Sequence, residues 1–268
     1  MNSLLYLDVS WNTLSNTRDE MAVLRKYMPV LSVLDIRHNY WQKPEGLRLR
    51  IIGRLKTLTK LDGVQVGDEE TAAALRMAAG SRISQVSLLM HSRTDTEPLR
   101  TLSLQTHAHT LAMYSNKKPD RAVDLDNNWY LKVTTLNLDG QHISKLSNLE
   151  RLENLQWASF NNNDLTKIEG LDNCQKLEEL SLESNCITRI EGLTRLEQLR
   201  HLNLSHNYID CLEHTGFDRL PQLHYLDLED NCITSLAGLQ RALSLTELYI
   251  SNNLVESVRE IFYLKVCL

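Results

Sequence analysis

The chain has 268 residues, 42% hydrophobic and 24% charged, a composition that fits one or two folded domains and excludes a disordered or low-complexity protein. No apolar run approaches the roughly 18 residues of a membrane span, and the opening MNSLLYLDVSW carries Asp8 with no basic region before it, so it does not read as a secretion signal. The net charge of −5 is uneven: residues 131–268 hold 12 Lys and Arg against 20 Asp and Glu, a net of −8 that leaves +3 for residues 1–130, and so acidic a second half argues against phosphate backbones as partners.

The first pattern is one of leucines. Leu4, Leu7, Val9, Asn12 and Leu14 recur 27 positions later as Leu31, Leu34, Ile36 and Asn39, which predicts two short strands with a helix over Glu20–Met28 between them. Terminal repeats need a polar cap, so the edge at Leu4 is expected to be covered by upstream repeats or by a partner. After Asn39 the pattern breaks. Pro44, then Ile51, Ile52, Leu55, Leu58 and Leu61 with the turn Asp62-Gly63, predict a helix and turn that close this short array. Arg48, Arg50, Arg54, Lys56 and Lys60 are read as the solvated face of that helix.

The next helix is DEETAAALRMAAG, begun at Asp68 by acidic residues at its positive end and stopped by Gly80. The Ser/Thr-rich stretch that follows reads as a linker. Its RTLS at Arg100–Ser103 matches a kinase target only as short sequences commonly do by accident. His107 and His109 stand two apart without companion ligands, and no metal site is assigned to them.

From Val133 six units follow at one phase. They start at residues 133, 155, 177, 199, 223 and 245, stepping by 22, 22, 22, 24 and 22, and share LxxLxLxxNxI. In the third, Leu177, Leu180 and Leu182 alternate like a strand, whereas Ile187, Ile190, Leu193 and Leu196 are spaced like a helix turn. Such a hairpin cannot bury its own apolar edge and must stack on copies of itself. At the bend stand Gln141, Asn163, Asn185, Asn207, Asn231 and Asn253, matched by Asn12 and Asn39 in the short array. A buried amide supplies donors and an acceptor to backbone groups that would cost about 1–3 kcal/mol each if left unpaired, so this column is assigned to structure. Gly170, Gly192 and Gly238 are read as tight turns on the back layer.

This pattern resembles the leucine-rich repeat family in its 22-residue class. The resemblance implies an α/β solenoid, a right-handed superhelix with a parallel inner sheet and with short helices, 3-10 turns and extended segments on the convex side. It divides the chain into residues 1–67, a two-repeat array whose closing helix and turn resemble the C-terminal cap of intracellular repeat proteins; residues 68–130, a helix plus linker; and residues 131–268, a six-repeat array. The last residues, IFYLKVCL, stop as a further repeat would begin. Five cysteines, an odd number, fit a reducing compartment. Cys186 and Cys232 would lie roughly 10 Å apart, too far for a disulfide, and Cys174 is a core position. The sequon Asn203-Leu204-Ser205 lies within a strand and is discounted.

Function in a solenoid is expected on the exposed positions of the inner strands. One such column is Thr135, Trp157, Glu179, His201, Tyr225 and Glu247; the next is Asn137, Ser159, Ser181, Asn203, Asp227 and Tyr249. Of these, Trp157, Glu179, Ser181, His201, Asn203, Tyr225, Asp227, Glu247 and Tyr249 form the candidate concave binding face, because Trp and Tyr are enriched among interface hot spots. The expected partner is a protein, basic or helical in its contacting segment, within a larger assembly; nucleic acid, membrane, cofactor and metal are not expected. Enzyme chemistry is not expected either, since the chain lacks a Gly-rich phosphate loop, HExxH, GxSxG and paired CxxC. His201, His206 and His224 fall near Asp227 without a nucleophile elbow and read as surface polar residues. The order of parts resembles large many-repeat members of the family that are common in cilia, axonemes and centrosomes, which implies a cytoplasmic, cytoskeletal adaptor. The alternative resemblance is to the regulatory subunit that cradles a Ser/Thr protein phosphatase on an acidic and aromatic concave surface, although that subunit carries its cap at the end of an uninterrupted array.

Overall fold

The computed structural model describes residues 4–44, 46–80, 82–93 and 128–264. The RTLS match, His107, His109 and Cys267 lie outside the described residues.

The described residues form two sheets. In the first, β1 (Tyr6–Asp8) and β2 (Val33–Asp35) pair in parallel with Leu7 opposite Leu34, and β3 (Lys60–Leu61) extends the sheet before folding back into β4 (Val64–Gln65). The reversal is made by Asp62 and Gly63, whose φ values of 55° and 83° give the left-handed pair that a two-residue hairpin requires. The Asp62 carboxylate also accepts the Ile36 N–H at 2.8 Å, tying the turn to the strand beside it.

Three helices accompany this sheet: α1 (Thr17–Tyr27), α2 (Leu47–Arg54) and α3 (Asp68–Gly80). The first starts three residues before the expected Glu20 and ends one before Met28. The third has the bounds its sequence predicts. It packs on α2 so closely that a Cβ at Gly53 would lie 2.8 Å from the Ala74 carbonyl oxygen, leaving no room for a side chain. Met21, Leu31, Leu34, Ile36, Ile51, Ile52, Leu55, Leu58, Leu61 and Ala74 form the shared core.

The linker expected after Gly80 does not begin there. Gln85–His91 form a helix, α4, started by a reciprocal pair of bonds in which Ser84 and Ser87 cap each other's backbone, and Ser92–Arg93 form β5. This strand runs antiparallel to the first strand of the large array, and Ile83 and Leu88 are buried at the head of that array's core. Seven helical residues are too few for a period to show, which is why the sequence reads as linker.

The large array is a seven-stranded sheet in the order β11-β10-β9-β8-β7-β6-β5. Its parallel members are β6 (Thr135–Asn137), β7 (Trp157–Ser159), β8 (Glu179–Ser181), β9 (His201–Asn203), β10 (Tyr225–Asp227) and β11 (Glu247–Tyr249). Leu136, Ala158, Leu180, Leu202, Leu226 and Leu248 stand side by side across them. Each return segment contributes its own buried residues: in the third unit Ile187, Ile190, Leu193 and Leu196, and in the 24-residue unit Phe217 within a 3-10 turn at Phe217–Arg219. Stacking makes one continuous core of these. At Gly192 the return segment passes so near the preceding repeat that a Cβ would lie 2.2 Å from the Ile168 carbonyl oxygen, and φ is 72°, so both space and backbone require glycine.

The basic residues of α2 are not one solvated face. Arg48 donates from Nε to Glu70 Oε1 at 2.5 Å and from Nη1 to the Leu61 carbonyl at 2.9 Å, locking α2 to α3 and the hairpin. Arg50 is buried and lies 3.0 Å from Asp164 Oδ1 in the large array, while its Nη2 donates to the Lys43 carbonyl. Lys43 in turn donates to the carbonyls of Asn163 and Ser184, the latter at 2.5 Å. Burial holds the Lys43 amine below its usual pKa. The closing segment of the short array is thus seated on the large one.

Candidate protein-binding face

The face depends on how each strand is fixed to the next. Asn185 donates from Nδ2 to the carbonyl of Phe160 in the preceding repeat and of Leu182 in its own, both at 2.9 Å, and its Oδ1 accepts the Leu165 N–H at 3.1 Å. Asn163, Asn207, Asn231 and Asn253 repeat this pattern, as does Asn39 between the two repeats of the short array. The first member of each array behaves otherwise. Gln141 donates to the Asp139 carbonyl, and Asn12 to the carbonyls of Val9 and Ser10, so both bond within their own loop.

A second ladder, missed in the sequence, runs beside the first. Asp139 Oδ1 accepts from Ser159 Oγ at 2.6 Å and from the Asn161 N–H at 2.7 Å; Asn161 Oδ1 accepts from Ser181 Oγ and the Glu183 N–H, both at 2.8 Å. Its consequence is a correction. Ser181, expected on the binding face, is 1% exposed and occupied by Asn161, and Ser159 and Thr135 are buried as well. The recurring polar residue two positions after the last strand position was the available signal.

Trp157, Glu179, His201, Tyr225 and Glu247 do stand in one row, opposite one another on five adjacent strands. Trp157, Glu179 and Tyr225 are half-buried, and His201 and Glu247 are exposed. The Tyr225 ring lies 5.7 Å from His201 and 5.3 Å from Tyr249, tilted about 40° to each, in the range of favourable aromatic pairs. Tyr249 is 43% exposed. Asn203 and Asp227 are half-buried and turned to their own loops: Asn203 Oδ1 accepts from Ser205, and Asp227 Oδ1 accepts the Glu229 N–H at 3.0 Å.

Electrostatics follow from partial burial among acids. Burial raises the Glu179 carboxyl above its usual range, against the opposing pull of His201, whose Nδ1 is 3.9 Å away. Burial likewise raises Asp227. The Tyr225 phenol is pushed up to about 12, by burial first and then by the charges of Asp227, Tyr249, Glu247 and Glu229. The face is therefore an aromatic strip whose neighbouring carboxylates lack full solvation, and a cation resting there would relieve them. His206 pairs instead with Asp230 at 3.3 Å, and a His224 ring nitrogen meets the Gln222 carbonyl, so the three histidines do not converge on one site. Among the described residues no group of three or more His, Cys, Asp or Glu is placed to hold a metal ion, and no helix is long and apolar enough to cross a membrane.

Another exposed aromatic pair went unforeseen. Trp11, 77% exposed, stacks on His38 with ring centroids 3.8 Å apart. Both precede a column asparagine, where the backbone turns left-handed with φ of 57°, as it does at Asn162, Ser184, His206, Asp230 and Asn252.

Family models match part of the large array. Residues 153–195 and 175–218 match the family model Leucine Rich repeats (2 copies), and residues 197–255 match Leucine rich repeat. That stretch consists of leucine-rich repeats, and the architecture is that of an α/β leucine-rich repeat solenoid. Among solved structures, the chain is similar to an internalin C2 from Listeria monocytogenes at 16% identity, covering 93% of this chain and 72% of that one with a TM-score of 0.40. It is also similar to an internalin (inlF) from the same organism at 18% identity, covering 99% and 72%, again with a TM-score of 0.40.

Proposed function

We propose that this leucine-rich repeat chain is a non-enzymatic scaffold that grips a basic protein segment on the strand face of its large array. The observation that carries the reading is the Tyr225–Tyr249 pair bordered by Asp227, Glu229 and Glu247, with Glu179 further along the same row. A lysine or arginine laid over those rings gains cation–π attraction, about 0.5–2 kcal/mol by position, and offsets carboxylates that burial makes reluctant to ionise. The asparagine ladder holds the row rigid beforehand, so binding costs little ordering.

The setting we propose is a cytoplasmic assembly on the cytoskeleton, such as a ciliary axoneme, supported by the likeness of the order of parts to large many-repeat proteins. A second reading, a regulatory subunit of a Ser/Thr protein phosphatase, is favoured by the same mixture of acidic and aromatic residues. Affinity capture separates them. Recovery of axonemal proteins without a phosphatase catalytic subunit supports the first reading, and stoichiometric recovery of that subunit overturns it in favour of the second.

A further inference from the structure

A cleft of about 1330 Å³ opens where the short array meets the large one, between α1, α2 and α3 on one side and the segments around Arg82 and His142–Asn148 on the other. Its described lining holds Arg25, Arg50, Arg54, Lys56, Arg82 and Lys145 against a single carboxylate, Asp164. In a chain of net charge −5 this is a local inversion of sign. Arg50 is matched by Asp164, and Lys145 has Glu169 at 3.5 Å just outside the cleft, yet the balance of the lining stays positive. Arg25, Lys56, Arg82 and Lys145 are all exposed.

Two further features shape the occupant. The cleft also presents aliphatic surface from Leu49, Leu75 and Met77 and no aromatic ring among its described lining apart from His142, so it offers apolar contact but no platform for stacked bases. Beside it lies a cavity of about 20 Å³, room for one water or one ligand oxygen, which shares Arg50, Arg54 and Asp164 with the cleft. That cavity is also lined by Thr17, whose hydroxyl is buried without a hydrogen-bond partner. A buried hydroxyl left unpaired next to guanidinium groups is suited to a carboxylate oxygen.

We propose that this cleft docks an acidic amphipathic segment of a protein partner, its carboxylates meeting Arg25, Lys56, Arg82 and Lys145 and its apolar side chains meeting Leu49, Leu75 and Met77. The site is separate from the strand face and opposite to it in charge, so the chain joins two partners of unlike sign. At about 1330 Å³ the cleft exceeds the roughly 300–1,000 Å³ of small-ligand pockets, so a segment of chain fills it better than a single phosphate ion.

The test titrates the whole chain into a fluorescein-labelled amphipathic helical peptide with glutamates on one face and leucines on the other, read by anisotropy. Parallel titrations use the same peptide with lysines for glutamates and a single-stranded oligonucleotide. The double variant Arg25→Glu with Lys56→Glu changes exposed residues only, and circular dichroism checks its fold. Saturable binding of the glutamate peptide, weakened about tenfold or more by the double variant and unchanged by Tyr225→Ala, supports the proposal. Absence of binding, binding indifferent to the charge reversal, or tighter binding of the oligonucleotide overturns it. Because Tyr225→Ala is the control, failure here leaves the strand-face reading standing, and the reverse holds too.

Discussion

Arg50 and Asp164, 114 residues apart in sequence, meet at 3.0 Å with their side chains 8% and 11% exposed. The pair joins the closing helix of the short array to the second repeat of the large one, and two charges that deep must be matched to be tolerated. Replacing Asp164 by Ala leaves the Arg50 guanidinium buried with only carbonyl partners. Urea unfolding should show a loss of about 3–5 kcal/mol. The double replacement Arg50→Met with Asp164→Leu, which removes both charges, should recover most of it; a double variant as unstable as the single would show that packing and not charge is at stake.

The asparagine ladder makes a contrast within one column. Asn185→Ala strands the carbonyls of Phe160 and Leu182 and the N–H of Leu165, and should cost on the order of 3 kcal/mol. Gln141→Ala, at an exposed position that bonds within its own loop, should cost less than about 0.5 kcal/mol. Equal losses at the two sites would refute the distinction between inner and first repeats.

Position 184 tests the left-handed residue before each ladder asparagine. Ser184 has φ of 56°, which costs a side-chain-bearing residue about 1–2 kcal/mol. Ser184→Gly should raise the thermal midpoint slightly or leave it unchanged, and Ser184→Val should lower it clearly. A valine tolerated as well as glycine would mean that the bend relaxes in solution.

The raised carboxylates give a pH signature with two opposed parts. Glu179 and Asp227 hold protons more tightly folded than unfolded, so their contribution to stability is largest in acid and falls as pH rises through their raised values. Affinity for a basic segment should run the other way, present above those values and lost as pH falls through them. Calorimetric titration of a lysine-rich peptide across the mildly acidic range checks this, and affinity that is flat there would remove these two carboxylates from the binding account.

Much of the fold was legible because the determinants repeat. Leu180, Leu202 and Leu226 recur with the period of the stack, and only stacking can bury them. The asparagine bends were legible for a chemical reason, since an amide is the side chain that can serve both donors and acceptors of a turning backbone. What escaped was whatever depended on a neighbour distant in sequence. Ser181 alternates like an exposed strand residue, but Asn161 of the previous loop covers it. Arg50 sits among charged residues on a short helix, and nothing near it in sequence announces Asp164. Val86, Leu88 and Leu89 make too short a run to reveal a helix, and their neighbour β5 gains its place only by pairing antiparallel with β6. The cleft is likewise a product of two arrays meeting, with its basic residues drawn from segments as far apart as Arg25 and Lys145.

The strand face stands or falls on its aromatic side chains. With the binding segment of a captured partner in hand, the affinity of the double variant Trp157→Ala with Tyr225→Ala should be compared with that of the parent chain, alongside far-ultraviolet circular dichroism. The expected result is a loss of about 2 kcal/mol or more, roughly thirtyfold, with an unaltered spectrum. Unchanged affinity in a variant that folds normally would contradict the assignment of this face.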